Sequence, residues 1–190
     1  MRIHVVLAVI LLAGAVASAQ GKTVTRDDVT ITTSRTKEYN EAVASGIIDA
    51  DAETIWAVLT DFDNHEKYMP NVISSAVAAR NGHTLMIEKI IKIAFRRIPM
   101  TLKTTLVEIN RVLSWEQVKG PIKLNRGIYV IKPNGKGCHV TYTVQLKHGY
   151  YIPRWIQRKM TEKAMTKLFK VIRREAARRI KVSASNKVSL

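Results

Sequence analysis

From Ala42 onward, apolar and polar positions follow two rhythms, and the switches between them divide the chain into elements. Ala42–Ile48 reads as a first strand. Asp51 is placed to cap a helix with Glu53 in its first turn, and Ile55, Val58, Leu59 and Phe62 fall at helical spacing. Asp61 to Pro70 holds a second short helix, ended by Met69-Pro70. A run of strands follows. Val72–Arg80 and His83–Ile93 flank Asn81-Gly82, a hairpin signal. Pro99 precedes Met100–Ile109, in which Met100, Leu102, Thr104 and Leu106 share one face. Val112–Lys119 stops at Gly120-Pro121, and Gly127–Lys132 and Cys138–Lys147 flank the turn Pro133-Asn134-Gly135. Cys138, Val140, Tyr142, Val144 and Leu146 again share a face.

The rhythm then changes to one long helix, Pro153 to Lys181. Ile156, Met160, Ala164, Leu168, Ile172 and Ala176 recur every four residues, and Met165 and Phe169 widen the stripe. Arg154, Arg158, Lys163, Lys167, Lys170, Arg173, Arg174 and Arg178 crowd the opposite side. Residues 20–41 are expected to be a polar, mobile lead-in, with a short strand at Val29–Thr33. Residues 182–190 are expected to be a disordered tail.

The N-terminus decides the compartment. Arg2, the apolar run Val5 to Val16 and Ala17-Ser18-Ala19 have the layout of a secretory signal over residues 1–19, with Gln20 opening the mature chain. The run falls short of the ~20 apolar residues of a membrane span. A periplasmic or secreted bacterial protein is the expectation. Roughly 170 residues then remain for one domain. The chain carries 31 Lys and Arg against 15 Asp and Glu, a formal net charge of +16. Such an excess asks for an anionic partner. Export argues against nucleic acid and for an anionic membrane surface. Cys138 is the single cysteine, so no internal disulfide forms, and its place in an alternating strand marks a structural thiol.

Strand, two short helices, antiparallel strands and a final long helix is an α+β order. The sheet must bury one face, and the long helix is its cover; curved over one helix, a sheet leaves a hollow. Ile48-Asp49-Ala50-Asp51-Ala52-Glu53-Thr54-Ile55-Trp56, Leu59-Thr60-Asp61-Phe62 and Tyr68-Met69-Pro70 resemble the opening of START-like, helix-grip domains. More narrowly they are similar to the polyketide cyclase/dehydrase and coenzyme Q-binding group. Ser114-Trp115, Gly127-Ile128-Tyr129 and Val140-Thr141-Tyr142 fit the family's later strands. The resemblance spans residues 42–181. It implies a curved antiparallel sheet wrapped around the C-terminal helix, with a cavity for a lipid, sterol, quinone or polyketide. By strand phase the lining would be Leu85, Ile87, Ile91, Met100, Leu102, Leu106, Tyr129, Tyr142 and Val144. The helix would add Trp155, Met165, Leu168 and Phe169.

Catalytic signatures are missing from the sequence. His65, His83, His139 and His148 show no metal-ligand spacing, and the sequence calls for no metal and no cofactor. Asp61-Phe62-Asp63-Asn64-His65 starts like a calcium loop, but Glu66 stands where the turn needs Gly, and Val72 where a bidentate Glu belongs. Asp61 is better read as ending a helix. Glu88, Lys89 and Lys92 alternate with apolar residues and are taken as facing solvent; turned inward, one of them would have a shifted pKa and acid–base capacity. Lys89, Lys92, Arg96, Arg97 and Lys103 form a second basic group, with Phe95 and Ile98 beside the arginines, as a membrane-docking tip requires. The function expected is an exported carrier for a hydrophobic small molecule. The alternatives are a cyclase/dehydratase-like enzyme using the same cavity, and an interaction module without a ligand. The oligomeric state stays open.

Overall fold

The computed structural model describes residues 21–93, 95–135, 137–147, 149 and 152–188. Nine antiparallel strands form one sheet in the order β1-β2-β3-β9-β8-β7-β6-β5-β4. They are β1 (Lys22–Arg26), β2 (Val29–Arg35), β3 (Asn40–Ile48), β4 (Val72–Asn81), β5 (Thr84–Ile93), β6 (Arg96–Glu108), β7 (Val112–Lys119), β8 (Leu124–Asn134) and β9 (Gly137–Lys147). Helix α1 (Ala52–Thr60), a 3-10 turn at Phe62–Asn64 and α2 (His65–Tyr68) link β3 to β4, and α3 (Arg154–Val188) ends the chain. This is the helix-grip arrangement expected from the resemblance. The Asp51 carboxylate accepts from the Thr54 amide at 2.7 Å, as its capping position requires. Gly82, the first of two loop residues between β4 and β5, has φ +55, which a II′-type hairpin needs there. Pro99 is tolerated inside β6 because β7 begins to pair only at Thr101, leaving the proline one free side.

Three expectations are corrected. Residues 20–41 were read as a mobile lead-in, yet 22–35 form the β1–β2 hairpin, which adds two strands to the sheet. Asp27 (φ 49) and Asp28 (φ 58) make a two-residue loop of the I′ kind, and Val29 and Ile31 are fully buried. Arg173 on α3 holds this hairpin. It donates from Nη1 to Asp27 O at 2.7 Å, from Nη2 to Asp28 O at 3.2 Å and from Nε to Ile47 O at 3.0 Å. Gly46 makes room for that contact, since a Cβ there would lie 2.8 Å from Asp28 O. The apolar content of β2 was too short to outweigh its threonines in sequence; tertiary burial decides it.

The tail 182–190 was expected to be disordered, yet α3 runs on to Val188; 189 and 190 lie outside the described residues. The every-fourth stripe also fails as one face. Four residues turn a helix by about 400°, so the row drifts ~40° per step and winds to the other side within six members. Met160 and Ala164 are exposed, and the buried face runs through Glu162, Met165, Phe169, Ile172, Glu175 and Ala176. Both acids on it are paired: Glu162 with Arg26 (3.3 Å) and Arg158 (3.5 Å), and Glu175 with Arg178 (2.7 Å) and Arg179 (3.0 Å). Arg179 also meets Asp61 at 2.6 Å and lies 5.6 Å from the Tyr68 ring centre. It thereby ties the far end of α3 to the α1–α2 corner.

Candidate functional site

The concave face of the sheet carries every second residue of each strand. On β5 these are Leu85, Ile87, Lys89 and Ile91, so Lys89 is in phase with the apolar set. Leu85, Ile87, Met100, Leu102, Tyr129 and Tyr142 are buried on this face, and Met165 and Phe169 are buried on α3 opposite. Ile91, Leu106, Val144 and Leu168 are partly buried against the same cluster. Tyr129 and Tyr142 are cross-strand partners whose rings stack at 4.1 Å. Burial, and then each other's proximity, pushes the Tyr129 hydroxyl far above its usual range, so it stays protonated. Trp155, expected in the lining, is 58 % exposed with the Lys159 ammonium over its ring at 5.8 Å. It lies on the first turn of α3.

Ser75, Lys89 and Met100 are successive cross-strand partners on β4, β5 and β6. Continuing across the sheet, Asn125 reaches Met100 Sδ at 3.9 Å and donates to Gln117 Oε1 at 3.2 Å. Asn125 pairs with Leu146, Leu146 with Asn40, and Asn40 with Arg35. The row is mixed, with Met100 and Leu146 apolar; its Asn40–Leu146 end lies by the first turns of α3, and its Lys89 end lies under α2. Further in, Ile87, Leu102, Tyr129 and Tyr142 are predominantly apolar.

Lys89 is the charge at the other end of that row from Arg35. It was grouped with Lys92, Arg96, Arg97 and Lys103 as a membrane-facing cation, and the structure corrects this: its Nζ donates to His65 Nδ1 at 3.1 Å beneath α2. Among the described residues no ion pair includes it. Burial lowers its pKa from 10.5 to about 8. Burial, and then the neighbouring ammonium, lowers His65 to about 3, outweighing Asp61 and the Val58 and Leu59 backbone. At neutral pH the imidazole is therefore uncharged and accepts the lysine proton at Nδ1. Ser75 Oγ is buried without a hydrogen-bond partner. His65 and Ser75 escaped sequence reasoning. The one available signal was the in-phase position of Lys89, which pointed inward and was set aside.

The remaining cations of the second basic group are outside. Lys92, Arg96 and Arg97 are exposed, and Lys103 meets Glu116 at 3.3 Å. Phe95 at the β5–β6 turn is 100 % exposed. Asp61 ends α1 as expected. Burial would raise its pKa, but hydrogen bonds from Asn64 and Arg179 and the Arg179 charge win, and its carboxyl stays below the usual value. Cys138 is a buried thiol held up by burial and by the Asp51 charge. Among the described residues no group of three or more His, Cys, Asp or Glu could hold a metal ion, and no helix is long and apolar enough to cross a membrane.

An open groove of about 570 Å³ lies between the first turns of α3 and the inner edge of β2, β3 and β9. Ala42, Val144 and Leu146 give it an apolar floor, and Lys22, Arg35, Arg154 and Arg158 outnumber Glu41 around it. Together these features make an amphipathic recess, capable of holding a molecule with one greasy and one polar end.

A family model described as polyketide cyclase/dehydrase and lipid transport matches residues 40–182. Solved structures share the fold. The STAR-related lipid transfer protein (fragment 25–204) from Xanthomonas axonopodis is 15% identical, with a TM-score of 0.69 over 83% of this chain and 98% of that one. Human STARD10 is 16% identical, with a TM-score of 0.69 over 92% and 80%. The Zhui aromatase/cyclase from Streptomyces sp. R1128 is 14% identical, with a TM-score of 0.67 over 75% and 96%. No curated protein matches the chain. At these identities the likeness speaks for the fold alone, and the lipid-transfer and cyclase neighbours share it equally.

Proposed function

The chain belongs to the polyketide cyclase/dehydrase and lipid transport family, and from that premise we propose that it is a carrier for a hydrophobic small molecule held between the sheet and α3. The observation that carries the proposal is the groove of about 570 Å³ under the first turns of α3, with its apolar floor of Ala42, Val144 and Leu146. Burying a ligand's apolar surface there contributes ~25 cal/mol per Å², less the cost of ordering the ligand. The exposed Phe95 between Lys92 and Arg96-Arg97 supports docking on an anionic leaflet: the cations find headgroups and the ring enters their boundary. Export through residues 1–19 is part of the proposal. It rests on the charged start, apolar run and Ala17-Ser18-Ala19, which lie outside the described residues.

The test is to purify the mature protein from its own host, extract it and analyse bound lipids by mass spectrometry. A reproducible hydrophobic species at near-stoichiometric amount is expected. A consistently empty protein that also fails to bind added amphiphiles refutes the carrier. A cyclase/dehydratase-like enzyme in the same cavity is the second reading. It is favoured by the inward-facing Lys89 bonded to His65 under α2, since such chemistry needs a polar group inside, although neither residue lines the groove. Turnover of an added polyketide, abolished in Lys89→Met, would replace the carrier with the enzyme.

A further inference from the structure

The groove under the first turns of α3 carries more positive charge than its walls answer. On the sheet side, Arg35 ends β2 in phase with the buried Val29 and Ile31, so it stands on the face that builds the core. The register of β2, β3 and β9 sets two rungs side by side: Arg35, Asn40 and Leu146, then Thr33, Ala42 and Val144. On the helix side, Arg154, Gln157, Arg158 and Thr161 fall at i, i+3, i+4 and i+7 and line the groove together. The same stripe continues along α3 as the buried Met165, Phe169 and Ile172. Its first two turns are thus basic where the sheet opposite still offers the apolar Ala42, Val144 and Leu146.

Most of this charge has no counterion. Among the described residues Lys22, Arg35 and Arg154 make no ion pair, and Arg158 shares Glu162 with Arg26. The acid in the lining, Glu41, already accepts from Gln145 at 2.7 Å.

We propose that this groove selects an amphiphile with a phosphate head, which Arg35 and Arg154 recognise beside Lys22 and Arg158, while its chain lies on Ala42, Val144 and Leu146. This deepens the carrier proposal and rests on it. Guanidinium forks match phosphate oxygens pairwise. A phosphate monoester carries about −1.5 to −2 charges at pH 7 and so answers several cations at once, where a carboxylate answers one. A neutral head leaves all of them without a counterion. The apolar floor adds a burial term that a free phosphate ion lacks.

The experiment is calorimetric titration of the full mature chain at pH 7 with decyl phosphate, decanoate, 1-decanol and inorganic phosphate. Each amphiphile is kept below the concentration at which it forms micelles, so no lipid surface is present for the Phe95 turn to dock on. Decyl phosphate is expected to bind about tenfold tighter than 1-decanol or better, since one charge-assisted hydrogen bond suffices for that factor. Decanoate should fall between them, and inorganic phosphate should be weakest. In the double variant Arg35→Gln, Arg154→Gln the preference is lost while 1-decanol binding stays. Both arginines are exposed and unpaired, so this variant should melt as the wild type does. Arg96→Glu with Arg97→Glu should leave the preference intact. Equal binding of decyl phosphate and 1-decanol, decanoate binding as tightly as decyl phosphate, or a preference that survives in Arg35→Gln, Arg154→Gln overturns the inference and leaves the carrier standing. Inorganic phosphate binding as tightly as decyl phosphate overturns the amphiphile as occupant. Binding of none of the three amphiphiles overturns the carrier and the selective groove together.

Discussion

Replacing Lys89 by methionine is expected to make the protein more stable at neutral pH. The lysine's pKa falls from 10.5 to about 8 on folding. At ~1.36 kcal/mol per unit, that is about 3 kcal/mol spent on burying the charge. Lys89 keeps some solvent contact, and methionine loses the bond to His65, so a net gain of ~1–2 kcal/mol remains. In a domain of this size that raises Tm by about 2–6 °C. The pH dependence carries the proof. Below pH 8 both folded and unfolded wild type hold the proton, and the full cost is present. Between about 8 and 10.5 the unfolded chain holds more protons than the folded one, so wild-type stability climbs with pH. Above that range the amine is neutral in both states and the cost is gone. The advantage of Lys89→Met should therefore be largest at pH 7 and shrink steadily towards pH 10.5, read by urea melts across that range. A variant that is less stable at pH 7, or a gap that does not change with pH, refutes the account of a buried, uncompensated ammonium.

Arg173→Met removes three donors from the hairpin loop and Ile47, and should cost ~1–3 kcal/mol. Hydrogen exchange should speed up in residues 22–35 before it does in β8 and β9. Arg179→Ala leaves Asp61 with Asn64 but without its ion pair, and Glu175 with Arg178 alone, costing ~1–3 kcal/mol at pH 7. Both carboxyls have lowered pKa values, so their contribution is present above the usual carboxylate range and is lost as pH falls through the folded values. The difference between Arg179→Ala and wild type in thermal melts should therefore close in acid. Arg96→Glu with Arg97→Glu should weaken sedimentation with phosphatidylglycerol vesicles by about tenfold or more at low salt, at ~1 kcal/mol per cation. Unchanged sedimentation would remove the membrane from the proposal.

The fold was legible because its elements are locally consistent. The Asp51 cap, the Asn81-Gly82 turn and the alternation of Cys138 to Leu146 each state their structure within a few residues. What was hidden depends on partners far along the chain. Val29 and Ile31 sit among threonines, and only burial under α3, with Arg173 holding their loop, makes β2 a sheet strand. The helix stripe misled because a spacing of four looks periodic yet precesses around the cylinder. Strand phase puts Leu85, Ile87, Met100, Leu102, Tyr129 and Tyr142 on one buried face of the sheet. It also carried Lys89 there, and the expectation that lysines face water overrode the phase. His65 and Ser75 had no signal of their own. A histidine in a four-residue helix and a serine in a strand become neighbours of Lys89 only through the β4–β5 register and the fold of α2 over it.

The pairing of β3 with β9, Ile48 against Cys138 at one end and Asn40 against Leu146 at the other, joins the beginning of the sheet to its last strand. During synthesis β4 to β8 can assemble as a meander of neighbours, while β1 to β3 wait as a detached flap with two open borders. The flap docks only after β9 has left the ribosome, and Arg173 can latch it only once half of α3 has followed. Loop closure across about half of the chain is thus a late commitment of folding, and the step at which a nascent molecule is most exposed to pairing with the wrong neighbour.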